Sequence, residues 1–343
     1  MNILGIETSC DETSAAVVTD GRWIHSNVVA SSLAQHRKFG GIIPEIASRR
    51  QLEYINSVVE QALDESHSSL KNIDAIAVTR SPGLAGSLLV GISFARALAC
   101  ATRKPLVEVD HIHAHLYANF LKKLDATNNA EDPPSLPAVG LVVSGGHSSL
   151  FVVRHWPRCL LLGQTRDDAA GEAFDKVAKI LDLGYPGGPA IDRLAQQGEN
   201  SEIRFPCAEL PDSFDFSFSG IKTAVLYYVN AHRKEKEFST EKIAYAFQKS
   251  VTQVLIDKCF TVCRKKNIKT LLVGGGVAAN SALRKGLTAR AQEEMVDVHF
   301  PPLQLCLDNA AMIAGLGHHL LHHRAPVRKK RASNLPRAVK RHF

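Results

Sequence analysis

Two stretches of this chain follow one grammar, and a duplication of that kind restricts the fold more than any other feature. The N-terminal stretch reads as an apolar run "NILGI", a polar turn "ETSCDETS", a second run "AAVV", then Asp20-Gly21 and a third run "WIHSNVVA". Asp-Gly between two strand-like runs is a hairpin signal, because both residues tolerate the positive φ of a tight turn. From residue 138 the order returns as "AVGLVV", a turn "SGGHS" and "SLFVV". Each half then sets a strand before a small-residue loop and a helix, "DAIAVTRSPGLAGSLLVGISFARALA" and "KTLLVGGGVAANSALRKGL". The expectation is two copies of one α/β unit, which 343 residues accommodate.

The boundaries follow from composition. Residues 1–121 form the first unit, closing with a helix over 111–121; 122–137, polar and proline-bearing, is a linker; 138–323 form the second unit. An insertion from about 163 to 238, rich in Gly, Pro and Asp, exceeds what a minimal unit needs and so suggests function. Helical spacing puts Leu52, Ile55, Val59 and Leu63 on one face, and Ile243, Phe247, Val251 and Leu255 on another behind Thr240 as N-cap.

With 45% hydrophobic and 22% charged residues the chain reads as globular. No apolar run approaches the roughly 20 residues of a bilayer crossing, and the N-terminus lacks the basic start of a targeting signal, so a cytoplasmic protein without a membrane partner is expected. Seven dispersed cysteines with no CxxC pair read as reduced thiols. Eight of the 41 Lys and Arg fall at or after Arg324, where there is no acid, so the preceding chain holds 33 of them against 34 Asp and Glu. The excess charge is therefore a tail, 324–343; it can attract a polyanion such as RNA, and a solvated extension explains it equally well.

Three histidines alternate in "DHIHAHLYANFL". A helix, favoured by Leu116, Phe120 and Leu121, brings His111 and His115 together at i, i+4 and turns His113 away. That spacing lets two imidazoles hold one metal, although it also occurs in ordinary helices. Ile112 stands where a thermolysin-type motif needs its Glu. The same spacing in "GLGHHLLHH" is better explained by histidines at a helix C-terminus. Asp308 precedes a helical run and is either an N-cap or a carboxylate that joins two imidazoles, a set suited to iron or zinc.

Three glycine loops, "VVSGGHSS", "YPGGPAID" and "VGGGVAAN", allow backbone N–H groups to approach an anion. None matches the Walker pattern. Asp167, Asp168, Glu172, Asp175 and Asp192 lie close to them in sequence; Asp192, following a glycine loop, is placed to bind a ribose hydroxyl. Glu7, Asp11 and Glu12 occupy the first polar turn and matter only if it faces a cleft.

Together "GIETSCDETS", "GGIIPEIASRRQ", "SPGLAGSLLVGISFA", "HIHAH", "VSGGHSSL", "DDAAGEAFDKVAK", "YPGGPAID", "FSFSGIKTAV", "GGGVAAN" and "CLDNAAMIA" resemble the bacterial tRNA N6-adenosine threonylcarbamoyltransferases, the TsaD/Kae1 family once called Gcp glycoproteases. The resemblance runs from Ile3 to about Gly317. It implies an α/β fold of the actin/Hsp70/sugar-kinase (ASKHA) type, two RNase H-like domains around a cleft. It implies transfer of the threonylcarbamoyl group of L-threonylcarbamoyladenylate to N6 of adenosine 37 in tRNAs reading codons that begin with A. Carried over by motif, the metal ligands are His111, His115 and Asp308, holding one divalent ion per subunit, iron(II) or alternatively zinc. Substrate contacts are Val142, Val143, Ser144, Gly145, Gly146, Asp175, Gly188, Asp192 and Asn280. A tyrosine that precedes "VSGG" in archaeal and eukaryotic relatives is replaced here by Val142, so water or substrate takes that ligand position. Glu12 is the candidate to accept the amine proton. Implied partners are tRNA, a smaller paralogous (TsaB-like) subunit and an ATPase (TsaE-like) subunit. A phosphotransferase of the same superfold and a metalloprotease stand as alternatives.

Overall fold

The computed structural model describes residues 1–123, 132–198, 201–208 and 210–323. The basic tail from Arg324 and half of the expected linker, 124–131, lie outside the described residues. The first half runs β1 (Asn2–Glu7), β2 (Glu12–Thr19), β3 (Trp23–Ser31), α1 (Leu33–Arg37), α2 (Pro44–Glu65), β4 (Ala75–Ser81), α3 (Ala85–Thr102), β5 (Leu106–Asp110), α4 (His111–Tyr117) and β6 (Lys122–Lys123). The second runs β7 (Ala138–Val143), β8 (Ser148–His155), β9 (Arg158–Gln164), α5 (Ala170–Ile180), α6 (Gly187–Ala195), α7 (Ser219–His232), α8 (Thr240–Lys266), β10 (Thr270–Gly274), α9 (Ser281–Glu294), β11 (Asp297–His299), α10 (Leu303–Cys306) and α11 (Ala310–His323).

The duplicated grammar becomes duplicated topology. One sheet has the order β5-β4-β1-β2-β3-β6 and the other β11-β10-β7-β8-β9. In both, the first strand pairs antiparallel with its hairpin partner and parallel with the strand that returns through a helical crossover. Asp20 and Gly21 take φ of 50° and 69°, so the β2-β3 hairpin turns as its dipeptide predicts. The central strands β1 and β7 are buried on both faces, which is why their sequences run apolar without alternation.

Four sequence expectations change here. Helix α11 belongs to the first sheet: Ala310, Ile313, Ala314 and Leu316 are buried with Ile3, Ala16, Val18, Ala77 and Val109. Gly5 permits this, because a Cβ there would collide with the Ala310 carbonyl and the Ala314 backbone. The C-terminal part of 138–323 thus returns across the cleft instead of staying with the second unit. Lys122–Lys123, expected as linker, pair in parallel with Trp23 and Ile24 at the sheet edge. Leu52 is 63% exposed, its expected place on the inner face of α2 being taken by Gln51. The cap of α8 is Ser239, whose side chain accepts from the Lys242 amide, one residue before Thr240.

The segment 163–238 is no appendage, since Phe174, Val177, Ile191, Ile221 and Val225 share one core with Leu141, Phe247 and Val273. Helix α3 is apolar enough, with mean hydropathy 1.5 over its 18 residues, to meet the length and composition of a membrane span, although the sequence reading found no such run. Only 22% of it is buried. All seven cysteines are free; Cys259, Cys263 and Cys306 are buried and Cys100 is exposed.

Candidate active site

Helix α4 begins where β5 ends, with the Asp110 side chain accepting from the His113 amide as N-cap. One turn then sets His111 and His115 on the same side, both buried, with their Nε2 atoms 3.2 Å apart. Asp308, in the loop before α11, reaches them from the far end of the sequence. Its Oδ1 lies 3.1 Å from His115 Nε2 and 3.5 Å from His111 Nε2. Asp308 is not the cap of α11, for Asn309 Oδ1 accepts from the Met312 amide in that role. His113 points elsewhere, into a separate cavity of about 300 Å³ shared with Arg80, Asp110 and Leu320.

Burial pushes the Asp308 carboxyl up, but the two imidazoles outweigh it and hold it at about 2. Burial likewise pushes His111 down, and Asp308 and Glu7 outweigh it to bring it to about 9. One ligand atom from each of the three residues lies within 4.8 Å of the others. Once a cation displaces the ring proton that Asp308 and Glu7 now favour on His111, two imidazoles and a carboxylate in that arrangement fit a divalent ion with open positions, such as iron(II) or zinc.

The glycine loops border this cluster. A Cβ on Gly274 would sit 2.5 Å from the His115 carbonyl oxygen, and Gly275, at φ 90°, abuts the Val143 carbonyl. The next residues form a tight turn, in which Ser144 N–H donates to the His147 carbonyl and His147 N–H donates to Ser144 Oγ. Gly145 and Gly146 at its tip face open space. On the other side the Asp175 carboxylate, pushed up by burial, accepts from the Gly187 amide at the start of α6. Asp192 accepts from Ser281 N–H, Ser281 Oγ and Asn280 Nδ2. Asn280 Oδ1 meanwhile caps α9 through the Leu283 amide.

A model of one family, "TsaD: tRNA N6-adenosine threonylcarbamoyltransferase", matches residues 24–315. The chain belongs to the TsaD family. A tRNA N6-adenosine threonylcarbamoyltransferase of Clostridium botulinum is 49% identical over 320 residues, covering 93% of this chain and 92% of that protein. One of Syntrophus aciditrophicus is 48% identical over 324 residues, covering 94% and 93%. Among solved structures, T. kodakarensis HypF superposes with a TM-score of 0.61 at 14% identity, over 94% of this chain and 47% of that one. Component A of the Acidaminococcus fermentans (R)-2-hydroxyglutaryl-CoA dehydratase gives 0.52 at 16% identity, over 94% and 97%. These likenesses show the fold, the two-lobed ASKHA architecture. The enzyme is a tRNA-modifying acyltransferase, and neither the phosphotransferase nor the protease alternative is favoured.

For a TsaD enzyme, several expected site residues converge and two do not fit. His111, His115 and Asp308 meet, and Asp192 meets Asn280. Asp175 meets Gly188, whose amide, like that of Gly187, bonds its carboxylate. Val142 and Val143 are wholly buried in β7, so neither can touch a substrate; only the turn after them is accessible. Glu12 sits beside Asp11 and under the field of Asp308, and burial with those two charges raises its carboxyl well above the usual range. Such a carboxyl gives up its proton less readily than an ordinary Glu.

Three residues escaped the sequence reading as site residues, and a fourth, Glu7, was noted there only as an acid of the first polar turn. Glu7 bonds His111, and Gln51 Nε2 donates to the carbonyls of Thr8, Cys10 and Glu12, holding the acidic turn from below. His147 is pushed down to about 4 by burial and by His111 and His115. The Tyr185 phenol is raised by burial and by Asp175, Asp11 and Glu12, so it faces acids of both halves. For Glu7 a signal existed, since an acid ends an otherwise apolar buried strand; for Gln51 the helical spacing pointed to its neighbour.

Proposed function

We propose that the cleft binds L-threonylcarbamoyladenylate and delivers its threonylcarbamoyl group to N6 of adenosine 37 of tRNA, releasing AMP. The observation that carries this reading is the convergence of His111, His115 and Asp308 beside the open turn of Gly145 and Gly146. An exocyclic adenine amine is a poor nucleophile, so the acyl carbon has to arrive activated and be held in line with it. The amides of Gly145 and Gly146 are free to bind the phosphate and the charge that develops on it. Asp192 and Asn280 would exchange their mutual bond for the ribose hydroxyls, and Asp175 with Gly188 would border the nucleoside.

His111, His115 and Asp308 would hold one divalent ion per subunit, iron(II) or alternatively zinc, which supplies Lewis-acid polarisation of the donor when bound. As the carbon–oxygen bond to phosphate breaks and the carbon–N6 bond forms, the N6 proton passes to Glu12. That role requires an ionised Glu12, and a cation beside Asp308 favours ionisation by offsetting the charge that now raises it.

The partners are tRNA, the TsaB-like subunit and the TsaE-like ATPase; the last rests on family resemblance alone. The outer face of α3, with Leu89 66% exposed, supports a protein partner. A bilayer suits this helix poorly, because Arg96 near its middle is exposed and paired with Glu108 at 2.9 Å. A tRNA substrate and free thiols are consistent with a cytoplasmic place.

The test supplies threonylcarbamoyladenylate, the partner proteins and an unmodified tRNA, followed by nucleoside mass spectrometry and AMP assay. Modified adenosine with equimolar AMP is expected. Unmodified tRNA, or ADP formed from ATP with a sugar or acetate acceptor, would sink the reading.

A further inference from the structure

Glu7 is the last residue of β1, wholly buried, and its carboxylate is surrounded by donors. Oε1 accepts from the Ser9 amide. Oε2 accepts from the Thr79 hydroxyl at 2.6 Å and faces His111 Nδ1 at 2.9 Å. A carboxylate placed among such partners only accepts, so the proton between Glu7 and His111 belongs to Nδ1. When a cation takes the place of the second ring proton, the lone pair is therefore at Nε2, the atom that faces His115 and Asp308. His115 has no equivalent, because its Nδ1 is buried and unpaired among the described residues.

From this we infer that Glu7 is the positioning residue that selects the His111 tautomer and ring orientation for metal binding, an inference resting on the metal reading above. A carboxylate behind a ligating imidazole both orients the ring and raises its basicity. The residue joins the end of β1 to the start of α4, so the first strand is built into the centre without supplying a ligand.

An isosteric amide cannot serve. In Glu7→Gln the amide NH2 would face either Ser9 N–H, opposing two donors, or His111. Facing His111, it would oppose the Nδ1 proton, leaving that proton only the longer contact to Ser9 Oγ at 3.2 Å and favouring the tautomer with its proton on Nε2 and no lone pair there.

The experiment titrates full-length protein with Zn2+ against a chromophoric chelator, with circular dichroism as control for folding. The parent should take up one equivalent, Glu7→Gln should bind about 10- to 100-fold more weakly, and Thr79→Val, which spares the Glu7–His111 bond, should bind as the parent does. Equal affinity in Glu7→Gln, or an equal loss in Thr79→Val, would overturn the role of the carboxylate. A parent without Zn2+ affinity would remove the metal reading and this inference with it. If Glu7→Gln does not fold, nitrogen-15 spectra of the Zn2+-loaded parent decide, with a protonated Nδ1 on His111 expected and an Nδ1-ligated ring overturning the inference.

Discussion

Asp308 Oδ1 lies 3.1 Å from His115 Nε2, joining the loop before α11 to the helix that follows β5. Both elements are also fixed by packing, since Ala310 to Leu316 share a core with Ala114 and Leu116. The cluster therefore does not depend on a metal for its assembly, and a ligand variant should keep the fold. Asp308→Asn should retain the parent's circular dichroism while Zn2+ affinity falls at least about tenfold and tRNA modification is lost. Metal content and modified nucleoside measured on the same preparation check this, and metal retained at the parent's level would reject Asp308 as a ligand.

Gln51 makes a stability prediction. Its Nε2 reaches the carbonyls of Cys10 at 2.9 Å and Glu12 at 3.1 Å, in the turn between β1 and β2. Gln51→Leu should cost about 1–3 kcal/mol of unfolding free energy by leaving buried acceptors unpaired. Because the same turn carries Glu12, the rate of transfer should fall while Zn2+ affinity stays near the parent's. Urea unfolding and single-turnover kinetics would show it; a stable variant with full rate would mean that the turn holds itself.

These contacts mark how far the sequence could be read. The hairpins, the parallel crossovers and the His111–His115 pair were legible because each depends on local period or on turn chemistry. Asp308 was open between helix cap and metal ligand on its own, and the resemblance chose the ligand, while the structure transfers its expected cap role to Asn309. Gln51 was not legible, and Glu7 was legible only as an acid in the first polar turn, because their roles depend on which backbone and ring atoms the packing brings within reach. The return of α11 to the first sheet was hidden for a similar reason: Gly5 admits the helix, and nothing local to residue 310 says so.

Glu12 gives a third expectation. If it accepts the amine proton, Glu12→Gln should slow transfer by roughly 10²- to 10⁴-fold, the usual span for a general base. Its carboxylate is not among the atoms gathered at the triad, so Zn2+ stoichiometry should be unchanged. Rapid-quench measurement of modified adenosine under saturating donor separates the chemical step from binding, and a loss under threefold would assign the proton to another acceptor.

His319 supplies a pH-dependent prediction away from the cleft. Its Nε2 is 2.8 Å from the Tyr117 hydroxyl, which donates onward to the Gly21 carbonyl, so the ring N–H donates to the phenol oxygen. Burial, then the neighbouring His318, His323 and His322, push its pKa down to about 4. The folded ring stays neutral where an unfolded one, near 6.5, takes up a proton. Unfolded chains thus bind more protons between about pH 6.5 and 4, and stability falls as pH is lowered through that window, with no contribution above it. His319→Gln keeps a donor for Tyr117 but does not titrate. In metal-free protein its urea midpoint should fall less than the parent's between pH 7 and 5, although His147 and His318 depress both alike. Parallel pH dependences for the two proteins would show that His319 is not buried neutral.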